Sequence, residues 1–394
     1  MRDRWAETTL DGIAEYINGY PFKPADLGEV GLPVIRIKQL LDPNEPVDRT
    51  NTDTPDRCLL RDGDIVFSWS GTLAVRIWNR GPAKLNQHLF RVVEKKGVYK
   101  GIIPLILEHA IEELEEKSHG TTMKHITKQT LLPHKVLLPP LPEQKRIVDL
   151  ISSVDSYIEA LQQQLECAKN SKSAYVNTIV SEIFARGKKT KIADIAEVKG
   201  GKRLPKATPW SEEPTDHRYI RATNIKDGIV LTENLVYVPD DVWPLISRYV
   251  VNQGDVVITI AGTIGQVGVI PTSLEGVNLT ENAAKIVVNK KLVRSNYLSM
   301  LLGSNYYQQD IDSKTKKTTQ PKLGLNMINS IEIPLPDLAE QDEIFSVVSQ
   351  IDTLIAHTNN LILQTIALRT GLLSDLLSGE HEIPTSYDKV IGAA

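Results

Sequence analysis

Few residues in this chain have the types and spacing that chemistry requires. Pro55-Asp56 with Glu94-Lys95-Lys96 has the order of a metal-dependent nuclease site, but the pattern is short enough to arise by chance and has no counterpart in the second half. Base methylation on an exocyclic amine needs an Asp/Asn-Pro-Pro-aromatic element to hold the flipped base. The one Pro-Pro pair, Pro139-Pro140, is flanked instead by Leu138 and Leu141. Gly200-Gly201-Lys202 would need a glycine five residues before Gly201 to form a Walker loop, and Ala196 stands there. The eight histidines and two cysteines show no zinc spacing. No catalytic, cofactor or metal site is expected in this chain.

Binding chemistry is better represented. Contacts to phosphates call for Lys, Arg and hydroxyl groups, and contacts to base edges call for Arg, Lys, Asn or Gln on projecting loops. Lys199, Lys202, Arg203 and Lys206 surround a Gly-Gly pair, mirrored earlier by Asn18-Gly19-Tyr20-Pro21-Phe22-Lys23. Here the glycines would let backbone approach a phosphate; the alternative is a tight turn with a solvated basic rim. A second stretch holds Lys314, Lys316, Lys317, Thr318, Thr319, Gln320 and Lys322, mirrored by Lys117, Thr121, Thr122, Lys124 and His125. A lysine run alone is usually a solvated face, and its repetition at matching positions favours DNA contact.

These loops must be positioned by elements that occur twice. Leu138-Pro139-Pro140-Leu141-Pro142-Glu143-Gln144 returns 197 positions later as Leu335-Pro336-Asp337-Leu338-Ala339-Glu340-Gln341. Ile13-Ala14-Glu15 answers to Ile195-Ala196-Glu197, and Gly63-Asp64 with Gly71-Thr72 to Gly254-Asp255 with Gly262-Thr263. So long a period excludes a solenoid and marks a duplicated unit of globular region plus long helix. Short β-type runs, such as Asp64–Ser68 and Asp255–Ile260, punctuated by Gly, Pro and Asn, predict strand-rich α+β regions with a curved sheet. Helices are expected at Pro104–Lys117 and Asn296–Asp310. After each Glu-Gln the pattern changes to a coiled-coil seam: Ile147, Ile151, Val154, Ile158, Leu161 and Leu165, then Tyr175, Ile179 and Ile183 beyond an interruption at Lys172. The second copy runs Ile344, Val348, Ile351, Ile355, Thr358, Ile362 and Thr365, closing at Leu372 and Leu376. A 43-residue helix would be roughly 64 Å long at about 1.5 Å per residue. Two such helices related by an internal two-fold would pack antiparallel, and duplex DNA is the target most often matched to a two-fold reader.

This order of motifs resembles the specificity subunit of type I restriction–modification enzymes over almost the whole chain. The spacer headings Leu141-Pro142-Glu143-Gln144 and Pro334-Leu335-Pro336-Asp337-Leu338-Ala339-Glu340-Gln341, with Val198-Lys199-Gly200-Gly201-Lys202-Arg203, Gly254-Asp255-Val256-Val257-Ile258 and Thr318-Thr319-Gln320-Pro321-Lys322, carry the likeness through their order and duplication. The first half departs mildly, with Gly120-Thr121-Thr122-Met123-Lys124 at the last of these. The resemblance implies target-recognition domains at 1–142 and 188–336, spacer helices at 143–187 and 337–380, and a tail at 381–394. It implies a non-catalytic reader of a bipartite DNA site whose spacers fix the gap and dock two methyltransferase subunits. S-adenosylmethionine would belong to those subunits, and ATP and Mg to motor-nuclease subunits that complete the restriction form.

Composition fits such a reader. A hydrophobic share of 41% and a charged share of 24% are ordinary for a soluble protein. No secretory leader or membrane-spanning stretch is apparent, and Cys58 and Cys167 occupy non-equivalent places, so a reducing cytoplasm is expected. The net charge of −4 hides a gradient: residues 188–335 carry 19 basic against 15 acidic residues, and 336–394 carry 2 against 9. Any grip on DNA is therefore local or shared with a more basic partner. Two rivals stand beside this reading. One is the recognition subunit of a bipartite type II (IIB-like) enzyme that cuts beside its site; the other is a coiled-coil scaffold with no DNA affinity.

Overall fold

The computed structural model describes residues 5–117, 128–206, 208–226, 228–315 and 321–388. Its contacts fall into two compact units, Met1–Leu161 with Leu361–Ala394, and Gln162–Asn360. Each unit holds one globular region, the N-terminal part of one long helix and the C-terminal part of the other.

The two globular regions share one connectivity. In the first unit a short strand, Ala6–Thr9, pairs with Lys135–Leu138, and a one-turn helix, Leu10–Ile13, leads into strand Ala14–Asn18. That strand edges an antiparallel sheet whose next members are Leu89–Glu94, Ile65–Ser68 and Ala74–Ile77. The second unit repeats this with Lys189–Lys191 against Glu332–Pro334, helix Ile192–Ile195, and a sheet of Ala196–Gly200, Ala283–Val288, Val256–Thr259 and Val267–Val269. A smaller sheet accompanies each, in which Leu32–Ile35 runs parallel to Ala83–Leu85, and Arg218–Ile220 parallel to Asn278–Leu279.

The central strands are apolar on both faces because both faces are covered. In Val256-Val257-Ile258, Val256 and Ile258 join the core beneath helices Ser295–Gly303 and Asn305–Thr315, while Val257 joins a separate core under the smaller sheet. Ile65 and Phe67 likewise face the core of helix Ile102–Lys117, and Val66 faces the other way. The two-residue period of a strand thus feeds two cores at once. The helix expected at Asn296–Asp310 is two helices, broken at Ser304, whose backbone turns extended.

The long helices span Leu141–Ala185 and Leu338–Leu377. Ile147, Ile151, Ile158, Leu161 and Leu165 are buried, as are Ile344, Val348, Thr358, Ile362 and Thr365; Val154, Ile351 and Ile355 are half-buried. Beyond Lys172 the buried row is Val176, Val180 and Ile183, and at the other C-terminus Leu373 replaces Leu372. A straight helix drifts against a strict seven-residue repeat, so these ends turn a different face to the globular region they pack on. Within the second unit Arg186 pairs with Glu340 at 2.7 Å and Lys172 with Asp352 at 2.5 Å, so the helix segments run antiparallel. In the first unit Arg369 reaches back to Asp155 and to Glu108 at 3.1 Å.

The repeated Glu-Gln explains how a globular region is fastened to the helix that follows it. Gln144 donates to the Pro139 carbonyl at 2.8 Å and accepts the Tyr99 N–H at 2.7 Å. Gln341 donates to Pro336 at 2.9 Å and to Leu292 at 3.0 Å, and accepts the Arg294 N–H at 2.8 Å. Both side chains are buried and satisfy backbone groups that would otherwise be stranded away from water.

Candidate nucleic-acid interface

Three loops meet at one end of the main sheet in the second unit. Gly200 pairs with Ala284, and Thr259 with Ala283, so the segment after Gly200, the turn before Ala283 and the turn after Thr259 leave the sheet together. Gly201 N–H donates to Ala283 O at 3.1 Å, and Lys202 N–H to Leu279 O at 2.9 Å. The far end of the second basic stretch joins them: Lys322 bridges Ala261, and Leu323 N–H donates to Ile260 O at 2.9 Å. Lys199, Lys202, Arg203, Lys206 and Lys322 are thereby gathered at this end, all exposed. Lys314 ends helix Asn305–Thr315 and is held by Asp310 at 2.5 Å.

The glycines sit in tight turns closed by the protein's own backbone. No Cβ fits at Gly201, because the Leu279 and Thr280 carbonyls press on it, nor at Gly19, against Leu85 and Asn86. They let the protein's own chain approach. The first unit repeats this arrangement. Asn18 pairs with Phe90 and Ser68 with Leu89, Gly19 N–H donates to Leu89 O at 3.1 Å, and Tyr20 N–H donates to Leu85 O at 2.7 Å. Lys23 is exposed near this end, where its backbone N–H donates to Asp26 at 2.7 Å. Lys117 closes helix Ile102–Lys117. Thr121, Thr122, Lys124, His125, Lys316, Lys317, Thr318, Thr319 and Gln320 lie outside the described residues.

The Gly-Asp and Gly-Thr pairs are scaffold. Gly63 and Gly254 adopt φ of 86° and 84° in turns that open the strands Ile65–Ser68 and Val256–Thr259. Ser68 and Thr259 hydroxyls then brace the following turns through the Thr72 and Thr263 carbonyls. Trp78 is buried, with its indole N–H on the Gly81 carbonyl.

Residues distant in sequence complete the basic surface of the second unit. A cavity of about 330 Å³ is lined by Lys199, Gly201, Arg248 and Lys285, and Lys202 lies 5.8 Å over the Tyr249 ring. Lys285 is mostly buried and donates to the Val250 carbonyl at 2.7 Å, so it serves the fold. A second concavity of about 510 Å³ brings Arg203, Lys206 and Arg221 beside Trp210 and Glu281. Burial pushes the Tyr219 hydroxyl there up to about 12, keeping it protonated as a donor to the Lys202 carbonyl at 2.9 Å. Arg221, Arg248 and Glu281 carry no local signature, since the fold alone places Arg248 beside the glycine pair and Arg221 and Glu281 beside Arg203. Among the described residues no group of three or more His, Cys, Asp or Glu could hold a metal ion, and no helix is long and apolar enough to cross a membrane.

The chain matches the type I restriction modification DNA specificity domain twice, over residues 2–169 and 187–366. It is 25% identical to the Escherichia coli type I restriction enzyme EcoBI specificity subunit, across 99% of this chain and 92% of that protein. The MjaVIII specificity subunit of Methanocaldococcus jannaschii is 22% identical, with 84% and 82% covered. Among solved structures, a chain studied for complex assembly and conformational transition of the type I R-M system superposes with a TM-score of 0.63 at 16% identity, covering 95% of this chain and 97% of that one. The M. genitalium type I S subunit gives 0.55 at 16% identity, with 95% and 96% covered. A family match to both repeats, spanning most of the length, places this chain in the type I restriction–modification specificity family, as a subunit that recognises DNA.

Proposed function

We propose that each globular region reads one part of a bipartite duplex site through the loops at the end of its main sheet. The observation that carries this is the repetition of one rigid loop frame, pinned at Gly19 and at Gly201, with different polar and charged side chains on each copy. One scaffold presenting two side-chain sets suits two different half-sites. The long helices set the unread gap between them and dock two methyltransferase subunits. This chain does no chemistry itself: S-adenosylmethionine is held by the methyltransferases, and ATP and Mg by motor-nuclease subunits in the restriction form. The assembly works in the cytoplasm, on the cell's own duplex.

Expression of the full chain with its methyltransferase partner, followed by single-molecule mapping of methylated adenines, tests this directly. The expected result is one split motif with a fixed gap. A contiguous motif, or no methylation, would reject the reading, and cleavage beside the site without a motor subunit would favour the IIB-like arrangement. Inserting seven residues within Gln162–Lys172 preserves the seam and adds about 10 Å of helix, or roughly three base pairs of rise. The gap should lengthen while both half-sites stay the same, and an unaltered gap would sink the ruler idea. Binding should also weaken steeply with salt, and each of Lys202→Ala and Lys206→Ala should lower the salt slope by about one.

A further inference from the structure

The turn pressed against Gly201 and the turn pressed against Gly19 share a backbone and differ at their tips. Thr280 N–H donates to Ile220 O at 3.0 Å, Ala283 N–H to Thr280 O at 3.1 Å, and Asn282 N–H to the Thr280 hydroxyl at 3.2 Å. Asn86, Leu89 and His88 repeat these bonds to Ile35 O, Asn86 O and Asn86 Oδ1 at 3.0, 3.0 and 3.3 Å. On this shared frame Glu281 stands where the first unit has Gln87. Opposite, counting from the equivalent glycines, Arg203 stands where the first unit has Pro21.

A carboxylate is an unexpected group at the centre of a basic loop cluster that faces a polyanion, because it repels phosphate. Its contacts explain its presence. Glu281 Oε1 accepts the Arg203 Nε–H at 2.7 Å. Its other oxygen takes the Thr280 hydroxyl at 3.2 Å and lies 3.4 Å from the Tyr219 hydroxyl, both on buried residues. The carboxylate is therefore fixed by the fold, whereas the Arg203 side chain is 76% exposed. Among the described residues the terminal Nη groups of Arg203 take no hydrogen-bond partner. A guanidinium held at Nε and free at both Nη groups presents the forked donors that match guanine O6 and N7 in the major groove. Holding it in advance removes the ordering cost that a free arginine would bear on binding.

We propose that Arg203 reads a guanine in the half-site recognised by the second unit, with Glu281 as the positioning residue that aims it. The first unit, with Pro21 and Gln87 at these places, reads no guanine through this pair. The inference rests on the proposed reading of DNA by the sheet-end loops, and one experiment separates the two. The full chain is expressed with its methyltransferase partner, and the wild-type motif is mapped by single-molecule sequencing of methylated adenines. Absence of any split motif rejects the DNA-reading proposal itself. Given a split motif, Arg203→Ala and Arg203→Lys should each relax one G·C position in one half, by about 10- to 100-fold in discrimination, with the other half unchanged. Glu281→Gln should relax that same position while total DNA affinity holds or rises, since a negative charge has been removed; a merely structural role would lower binding at every position alike. The proposal is overturned if the motif is unaffected by these variants, if Glu281→Gln alters a different position from Arg203→Ala, or if the relaxed position is not a G·C pair.

Discussion

At the scale of single residues, Gln144 and Gln341 decide whether each globular region is rigidly joined to its helix. Each accepts one backbone N–H and donates to carbonyls on both sides of the junction. Removing such a side chain leaves buried backbone groups without partners, which costs about 1–3 kcal/mol. Gln341→Ala should therefore lower the stability of its unit by that amount, read as a fall in the urea midpoint at unchanged slope. Gln341→Glu should cost at least as much, because a carboxylate would face the Leu292 and Pro336 carbonyls. A wild-type midpoint in either variant would show that the junction is held elsewhere. The repeated Glu-Gln was visible in the sequence, but its purpose was not. The bonded groups beyond the junction lie 45 to 49 residues away along the chain, and no local pattern connects them. Gly201 is ambiguous in the sequence for a related reason: a glycine that admits the protein's own backbone has the same signature as one that admits a ligand.

Among the elements, the long helices were legible because heptad spacing is a one-dimensional signal that needs no tertiary knowledge. The legibility failed where the helices leave the seam and pack on a globular region, so Val176 and Val180 are buried instead of Tyr175 and Ile179. Lys172, which breaks the apolar pattern, bonds Asp352 at 2.5 Å, and Arg369 bonds Asp155. These are the same pair twice, since Lys172 and Arg369, and Asp155 and Asp352, are each separated by the interval that separates the two Glu-Gln headings. The copies differ in strength. Arg369 is mostly buried and also holds Glu108 at 3.1 Å, whereas Lys172 and Asp352 are about a third to a half exposed. Hydrogen bonds to charged groups contribute about 1.5–3 kcal/mol, and exposed ion pairs about 0–1 kcal/mol. Arg369→Met should thus destabilise by about 1.5–3 kcal/mol and Lys172→Met by less than 1 kcal/mol in thermal melts of the full chain. Equal losses would contradict this ranking.

For the molecule as a whole, an internal repeat creates a hazard: strands of one copy fit the partners of the other. The first strand of each unit pairs with a strand from the far end of the same globular region, Ala6–Thr9 with Lys135–Leu138 and Lys189–Lys191 with Glu332–Pro334. Both pairings carry one ion pair at the same place, but with the signs exchanged: Glu7 with Lys135 at 2.5 Å, and Lys189 with Glu332 at 2.9 Å. Correct pairing joins opposite charges, while crossed pairing would set Glu7 against Glu332 and Lys189 against Lys135. Like charges across a strand pair are unfavourable, so the exchanged signs should favour correct over crossed pairing during folding. The hydrogen bond and charge of the partner lysine hold the Glu7 and Glu332 carboxyls below the usual carboxylate range. A folded-state pKa depressed in this way contributes stability above the unfolded value, near 4.3, and that contribution is lost as pH falls through the folded value. Sorting should therefore operate at pH 7 and fade in acid. The decisive variant is the double reversal Glu7→Lys with Lys135→Glu, which keeps an attractive pair in the first unit but gives both copies the same sign order. Its native stability at pH 7 should match the wild type, while refolding from urea should yield more strand-exchanged oligomer as protein concentration rises. Size-exclusion chromatography with light scattering reads that fraction. Refolding to monomer as cleanly as the wild type at every concentration would show that loop length and core packing, not these charges, keep the copies apart.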